Sequence, residues 1–151
     1  MLALLNDPSF LRFVGDRGVR TIEAARAYIM AGPIAMYERV GFGLYLVETR
    51  REAVPIGICG LLRRDGLADA DLGFALFPEY RRQGYTLEAA SAVLRYGRDT
   101  LGLTRIVAIV QPDNVASCRL LGKLGMVPEQ LVRLTPESDE VMLYGPQGGM
   151  P

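Results

Sequence analysis

The stretch from Asp69 to Arg98 constrains the fold most, because it switches from strand to helix periodicity across a basic turn. Leu72, Phe74 and Leu76 alternate onto one face of a strand running from Asp71 to Phe77, and Pro78 stops it. Residues 87–96 are good helix formers with an apolar stripe at Leu87, Ala90, Val93 and Leu94. Between the two lies a turn carrying Arg81, Arg82 and Gly84. A strand that breaks directly into a helix gathers unbonded N–H groups and the positive end of a helix dipole in one small space. With two guanidinium groups beside it, that space suits a phosphate or diphosphate; the same residues also fit a plain turn with a solvated surface.

The rest of the composition narrows the chemistry. A chain of 151 residues is read as one domain, residues 1–151, large enough to bury a sizeable core. Lys plus Arg and Asp plus Glu both number 17, so no global field draws in nucleic acid or an anionic membrane, and any anion site is local. No apolar run approaches a membrane span and the start lacks a leader pattern, so a soluble, cytoplasmic protein is expected. There is no histidine, which removes Ser-His-Asp and Cys-His nucleophile systems. Cys59 and Cys118 cannot by themselves make a zinc site and are expected as reduced, buried thiols.

Read in order, the chain opens on an apolar helical fragment at Leu2–Leu5, followed by a second helix started by Pro8 and carrying Phe10, Leu11 and Phe13. Thr21 is the expected N-cap of a helix from Ile22 to Met30, with Gly32 and Pro33 past its end. Residues 43–48, 55–62 and the strand after Asp69 form a hairpin-linked antiparallel meander. The helix beginning near Thr86, which is a candidate N-cap, leads to an almost wholly apolar strand at residues 105–110, making a parallel crossover with the Asp71 strand. A helix from Val115 to Leu124 is ended by Gly125, and one further strand is expected at residues 140–144 before a loose Gly/Pro-rich end.

Two of these segments carry a resemblance. The run Arg81-Arg82-Gln83-Gly84-Tyr85-Thr86 resembles the coenzyme A motif Arg/Gln-x-x-Gly-x-Gly/Ala of the GNAT N-acetyltransferase superfamily, with Thr86 in place of the usual small residue. Further on, Asn114-Val115-Ala116-Ser117 and Lys123-Leu124-Gly125-Met126 resemble the Asn-x-x-Ser and Lys-x-Gly-Phe elements of its ribosomal-protein N-terminal acetyltransferase branch. The fold so implied is α/β, of α+β type: a mixed, mostly antiparallel sheet with a central splayed parallel pair and helices on both faces. That family ordinarily begins with a strand ahead of its first helix, and this sequence starts within the helix. The strand at residues 43–48 is therefore expected as an exposed edge, available for pairing with a second copy.

The activity implied is direct transfer of an acetyl group from acetyl-CoA to a primary amine, on a protein N-terminus or a small molecule. The alternative is a non-catalytic acyl-CoA-binding or interaction domain. By the resemblance, the backbone of Phe74, Ala75 and Leu76 pairs with the pantetheine amides. Arg81, Arg82, Gln83, Gly84, Tyr85, Thr86 and Leu87 surround the diphosphate. Asn114 holds the pantetheine arm, or else simply caps its helix, and Lys123 reaches a phosphate, or else is a surface lysine. Asp71 is the candidate base, directly or through water, and a strand-end carboxylate in solvent is the other reading. Many relatives place a Tyr on the helix after Asn114 to protonate the leaving thiolate; here that position holds Leu121, and Ser117 is the substitute, or else merely packs in the first turn of its helix. Asp7, Arg12, Asp16 and Arg17 are acceptor-side candidates, against a solvated-surface reading.

Overall fold

A computed structural model describes residues 1–148. Three short helices come first, α1 (Leu2–Leu5), α2 (Pro8–Phe13) and α3 (Ile22–Ile29). Asp7 caps α2 by accepting from the N–H groups of Ser9 and Phe10, and the Thr21 hydroxyl accepts from the Ala24 N–H at the start of α3, as expected.

The chain does not turn away at Gly32 and Pro33. It passes through one π turn, Met30–Ile34, which contains Pro33, and continues into α4 (Ala35–Val40), closed by Gly41 at φ 81°. A wider turn is one way a helix absorbs the missing proline N–H without ending, which is why a stop signal misleads here.

The strands β1 (Leu44–Glu48), β2 (Pro55–Leu62) and β3 (Ala70–Leu76) form the expected antiparallel meander. After β3, a single 3₁₀ turn at Pro78–Tyr80 leads through the basic turn into α5 (Tyr85–Asp99). Then come β4 (Ile106–Val110), α6 (Val115–Lys123), β5 (Met126–Val132) and β6 (Val141–Pro146). The six strands lie in the order β1-β2-β3-β4-β6-β5, with β3 and β4 parallel and every other pair antiparallel. β1 is an edge, as expected.

The strand β5 is a correction to the sequence reading, which has only one strand after α6. Pro128, Glu129 and Gln130 interrupt its apolar pattern, and the strand bulges between Pro128 and Gln130. As the other edge of the sheet it is mostly exposed, the setting in which a strand tolerates proline. The loose end expected after Tyr144 is in part β6, and its last residues lie outside the described ones.

Both faces of the sheet are covered. Leu4, Leu5, Phe10, Val19 and Ala25 of the N-terminal segment pack with Ile58 on one face. Ala90 and Leu94 of α5 and Leu121 of α6 pack with Cys59, Leu61 and Leu72 on the other. This alternation along β2 follows the period-two pattern of a strand covered on both sides. Among the described residues no helix is long and apolar enough to cross a membrane.

Candidate active site

The site begins where the sheet stops being a sheet. β3 and β4 are in register only at Ala70 with Ile106 and Asp71 with Val107; beyond that pair no ladder joins them. The gap opens into a cleft of about 400 Å³. Phe74 and Ala75 from β3, Ile109 from β4, and Asn114 and Ser117 from α6 line it. Phe10 and Phe13 of α2 form part of its other wall.

An opened parallel pair leaves backbone groups without partners, and buried amides must be satisfied by something. Asp71 does so at the crotch of the fork: its Oδ1 accepts the Ile109 N–H at 3.2 Å. Its Oδ2 accepts from Arg64 Nε at the end of the β2–β3 hairpin side. Asp71 is only 1% exposed, so the reading of a strand-end carboxylate in solvent is wrong. Burial pushes its carboxyl above the ordinary value, while the charge and hydrogen bond of Arg64 and the Ile109 N–H oppose that rise.

At the far end of β3 the chain makes two left-handed residues, Arg82 at φ 59° and Gly84 at φ 86°, and enters α5. No backbone N–H from Arg82 to Leu87 donates to another group among the described residues, the first intrahelical bond in this region being Glu88 N–H to Gly84 O. Such a row of unpartnered donors at a helix N-terminus has the geometry that suits an anion. Gly84 itself occupies the N-cap position, so Thr86 is the second helical residue and not the cap.

Residues 1–127 match the family described as Acetyltransferase (GNAT) domain. The chain belongs to the GNAT acetyltransferase family. Among its curated relatives, the uncharacterized N-acetyltransferase YoaA of Bacillus subtilis (strain 168) is 32% identical over 135 residues, 88% of this chain and 75% of that one. The uncharacterized N-acetyltransferase p20 of Bacillus licheniformis is 35% identical over 130 residues, covering 85% and 72%. Among solved structures, the spermidine N-acetyltransferase of Vibrio cholerae in complex with CoA and spermine superposes with a TM-score of 0.75 at 16% identity, over 95% of this chain and 85% of that one. The ribosomal-protein-S5-alanine acetyltransferase of Vibrio fischeri gives 0.69 at 19% identity, over 85% and 73%. At those identities the likeness is one of fold.

In this GNAT domain the remaining candidates fall in different places. Asn114 caps α6, its Oδ1 accepting the Ser117 N–H at 3.3 Å, and it also lines the cleft, so capping its helix does not remove it from that space. Ser117 lines the cleft beside the buried Leu121. Lys123 is exposed at the last turn of α6 and is not among the cleft-lining residues. The Arg81 guanidinium does not stand free beside the turn: it bonds the Leu76 carbonyl, Ser9 and Asp7. Tyr80 and Tyr85 pack edge to face, 6.3 Å between ring centres, and brace the turn. Of the acceptor-side candidates, only Arg17 lines the cleft. Asp7 is buried under Arg81, Arg12 pairs with Asp113 at the rim of an adjoining hollow, and Asp16 pairs with Arg20 in solvent. Burial pushes the Cys59 thiol up to about 12, which removes it as a nucleophile.

Sequence reasoning missed Arg64 and Gln111 at the cleft, and the aromatic wall of Phe10, Phe13 and Tyr28. Arg64 sits in a hairpin connection, where its pairing with Asp71 has no local signature. The aromatic residues carry helix-core periodicity, which does not distinguish a core face from a cleft wall.

Proposed function

We propose that this chain is an acetyl-CoA-dependent N-acetyltransferase that moves the acetyl group directly to a primary amine. The observation that carries the proposal is that β3, which parts from β4 after Asp71, runs on through Pro78–Tyr80 into the row of unpartnered amides at residues 82–87. That turn follows the cleft-lining strand without itself being among the cleft-lining residues. A diphosphate fits that row of donors, and a slender amide-bearing arm fits the edge of β3 at Phe74, Ala75 and the Leu76 N–H, the Leu76 carbonyl being taken by Arg81 Nε. Asn114 lies on the opposite wall, in reach of the same space. The coenzyme supplies the activated acyl group.

The chain's own groups then handle protons and charge. An α-amine has a pKa of roughly 8 and a lysine roughly 10.4, so the acceptor must lose a proton before its nitrogen attacks the thioester carbon. Asp71 takes that proton, directly or through water; a carboxyl raised by burial is a better base near neutrality than an exposed one. A backbone N–H near Leu76 stabilises negative charge on the carbonyl oxygen. As the carbon–sulfur bond breaks, the Ser117 hydroxyl hydrogen-bonds the departing thiolate and helps it gain a proton.

The cleft walls bear on the acceptor. Asp71 is the one carboxylate among the described residues lining the main cleft, and Arg64 already pairs with it. Charge and apolar lining therefore favour a peptide N-terminus or an apolar monoamine over a polyamine. The same proposal includes pairing of a second copy along β1, where Tyr37 already engages the Leu44 carbonyl and leaves the middle of the strand open. Sedimentation as a monomer at all concentrations would remove that part alone.

The deciding experiment is thiol release from acetyl-CoA with a panel of peptide N-termini, small amines and spermine. Amine-dependent turnover is expected. Tight coenzyme A binding without turnover on any amine would favour a non-catalytic acyl-CoA-binding domain instead.

A further inference from the structure

We propose that Arg81 is a positioning residue that ties the cleft-lining helix α2 to the diphosphate turn, so that coenzyme binding stiffens α2. This inference rests on the functional reading above. Each donor of the guanidinium goes to a different part of the molecule. Nε donates to the Leu76 carbonyl at 3.0 Å, Nη1 to Ser9 Oγ at 2.7 Å and Nη2 to Asp7 Oδ2 at 2.8 Å. One side chain thus fastens the last residue of β3 and the start of α2 to the residue that opens the turn.

The Asp7 end is as heavily committed. Its Oδ2 also accepts from Ser9 N, Ser9 Oγ and Phe10 N, at 3.2, 2.9 and 3.3 Å. The oxygen that caps α2 is therefore the oxygen that Arg81 holds. Asp7 is 8% exposed, so water competes little for it.

A helix of six residues has no independent stability, and α2 keeps its place through its cap and its packing. From that helix Phe10 and Phe13 reach the cleft, and Val14 follows directly after it. On the other side of Arg81 stands the strained Arg82 and the row of open amides. An anion that orders those amides restricts the Arg81 backbone, hence the guanidinium, hence the cap of α2. Ordering at one place then lowers the ordering cost at the other, which is coupling through shared conformational freedom.

The test is amide hydrogen exchange of the full chain, with and without saturating coenzyme A, read by mass spectrometry over peptides spanning 8–15 and 82–90. In the wild type, exchange in both peptides is expected to slow, by about threefold or more in 8–15. Asp7→Asn keeps a good cap but removes the charge that Arg81 holds. In that variant, coenzyme still slows 82–90 but leaves 8–15 unchanged. In titration calorimetry, Asp7→Asn and Arg81→Gln each weaken coenzyme binding, and the double variant is no weaker than the worse single one. Failure of wild-type protein to bind coenzyme A sinks the functional reading. Binding with protection at 82–90 and none at 8–15 overturns the inference alone, and because this is a wild-type measurement it holds even where a variant does not fold. A merely structural Arg81 would lower stability without making α2 respond to coenzyme.

Discussion

Asp71 accepts the main-chain N–H of Ile109 at 3.2 Å, across the point where β3 and β4 part. A side chain here does the work of the missing strand partner, and the fork can open without stranding a buried donor. The same carboxylate is the proposed base, so its two duties must be separated by choice of substitution.

Asp71→Asn leaves an oxygen for Ile109 but removes the base. Turnover should fall by about 100-fold or more with coenzyme A affinity nearly unchanged. Asp71→Ala strands both the Ile109 N–H and Arg64, and should cost about 2 to 3 kcal/mol of stability. Steady-state kinetics, calorimetry and urea unfolding of the two variants measure this. Equal loss of turnover and binding in the asparagine variant would refute the base assignment.

Gly84 adopts φ 86°, and an added Cβ there would meet nothing within 4 Å. Gly84→Ala therefore costs conformational strain alone, about 1 kcal/mol. A turn that relaxes this strain moves its amides, so coenzyme A affinity should drop by about tenfold, the equivalent of roughly 1.4 kcal/mol. Unaltered affinity alongside the lowered melting temperature would mean that the amides of residues 82–87 do not hold the diphosphate.

What the sequence made legible is what depends on local pattern. The strand-to-helix switch around Gly84, the Thr21 cap, the meander and the parallel crossover are each written in neighbouring residues. The π turn at Pro33 and the strand β5 were not, because helix continuation and edge pairing are decided by tertiary packing that overrides a proline signal. At the site, the strand-to-helix turn from Arg81 to Leu87 was readable, yet the destination of the Arg81 guanidinium was not. Its partners, Asp7 and Ser9, lie more than seventy residues away and have no spacing relation to it. Arg64 was invisible for another reason: Asp71 is close in sequence, but a pairing from within a hairpin connection has no local signature.

Ser117 and Asn114 share the first turn of α6 but should fail differently. Asn114→Ala removes the cap and should cost about 1 kcal/mol of stability together with coenzyme affinity. Ser117→Ala should leave melting temperature and coenzyme binding near wild type while lowering kcat by about tenfold or more. Unchanged kcat in that variant would leave the departing thiolate to solvent and remove Ser117 from the chemistry.

The Arg81–Asp7 pair also makes a prediction about acid. Burial alone would raise the Asp7 carboxyl, but hydrogen bonds from Arg81, Ser9 and the Phe10 N–H, with the Arg81 charge, outweigh it and hold the carboxyl below its ordinary value of 3.8. A carboxyl lowered on folding stabilises the protein above its unfolded pKa, and that stability is lost as pH falls through the folded value. The Arg81 side chain is 37% exposed, so solvent screening keeps the contribution modest, about 1.5 kcal/mol. Asp7→Asn should therefore be less stable than wild type by about that amount at about pH 7, and the difference should shrink as pH drops below 3.8. Urea midpoints for both proteins between about pH 7 and about pH 2.5 measure it. A gap that stays constant over that range would mean that Asp7 contributes through its shape and neutral hydrogen bonds, and that the charge shared with Arg81 does not hold α2 in place.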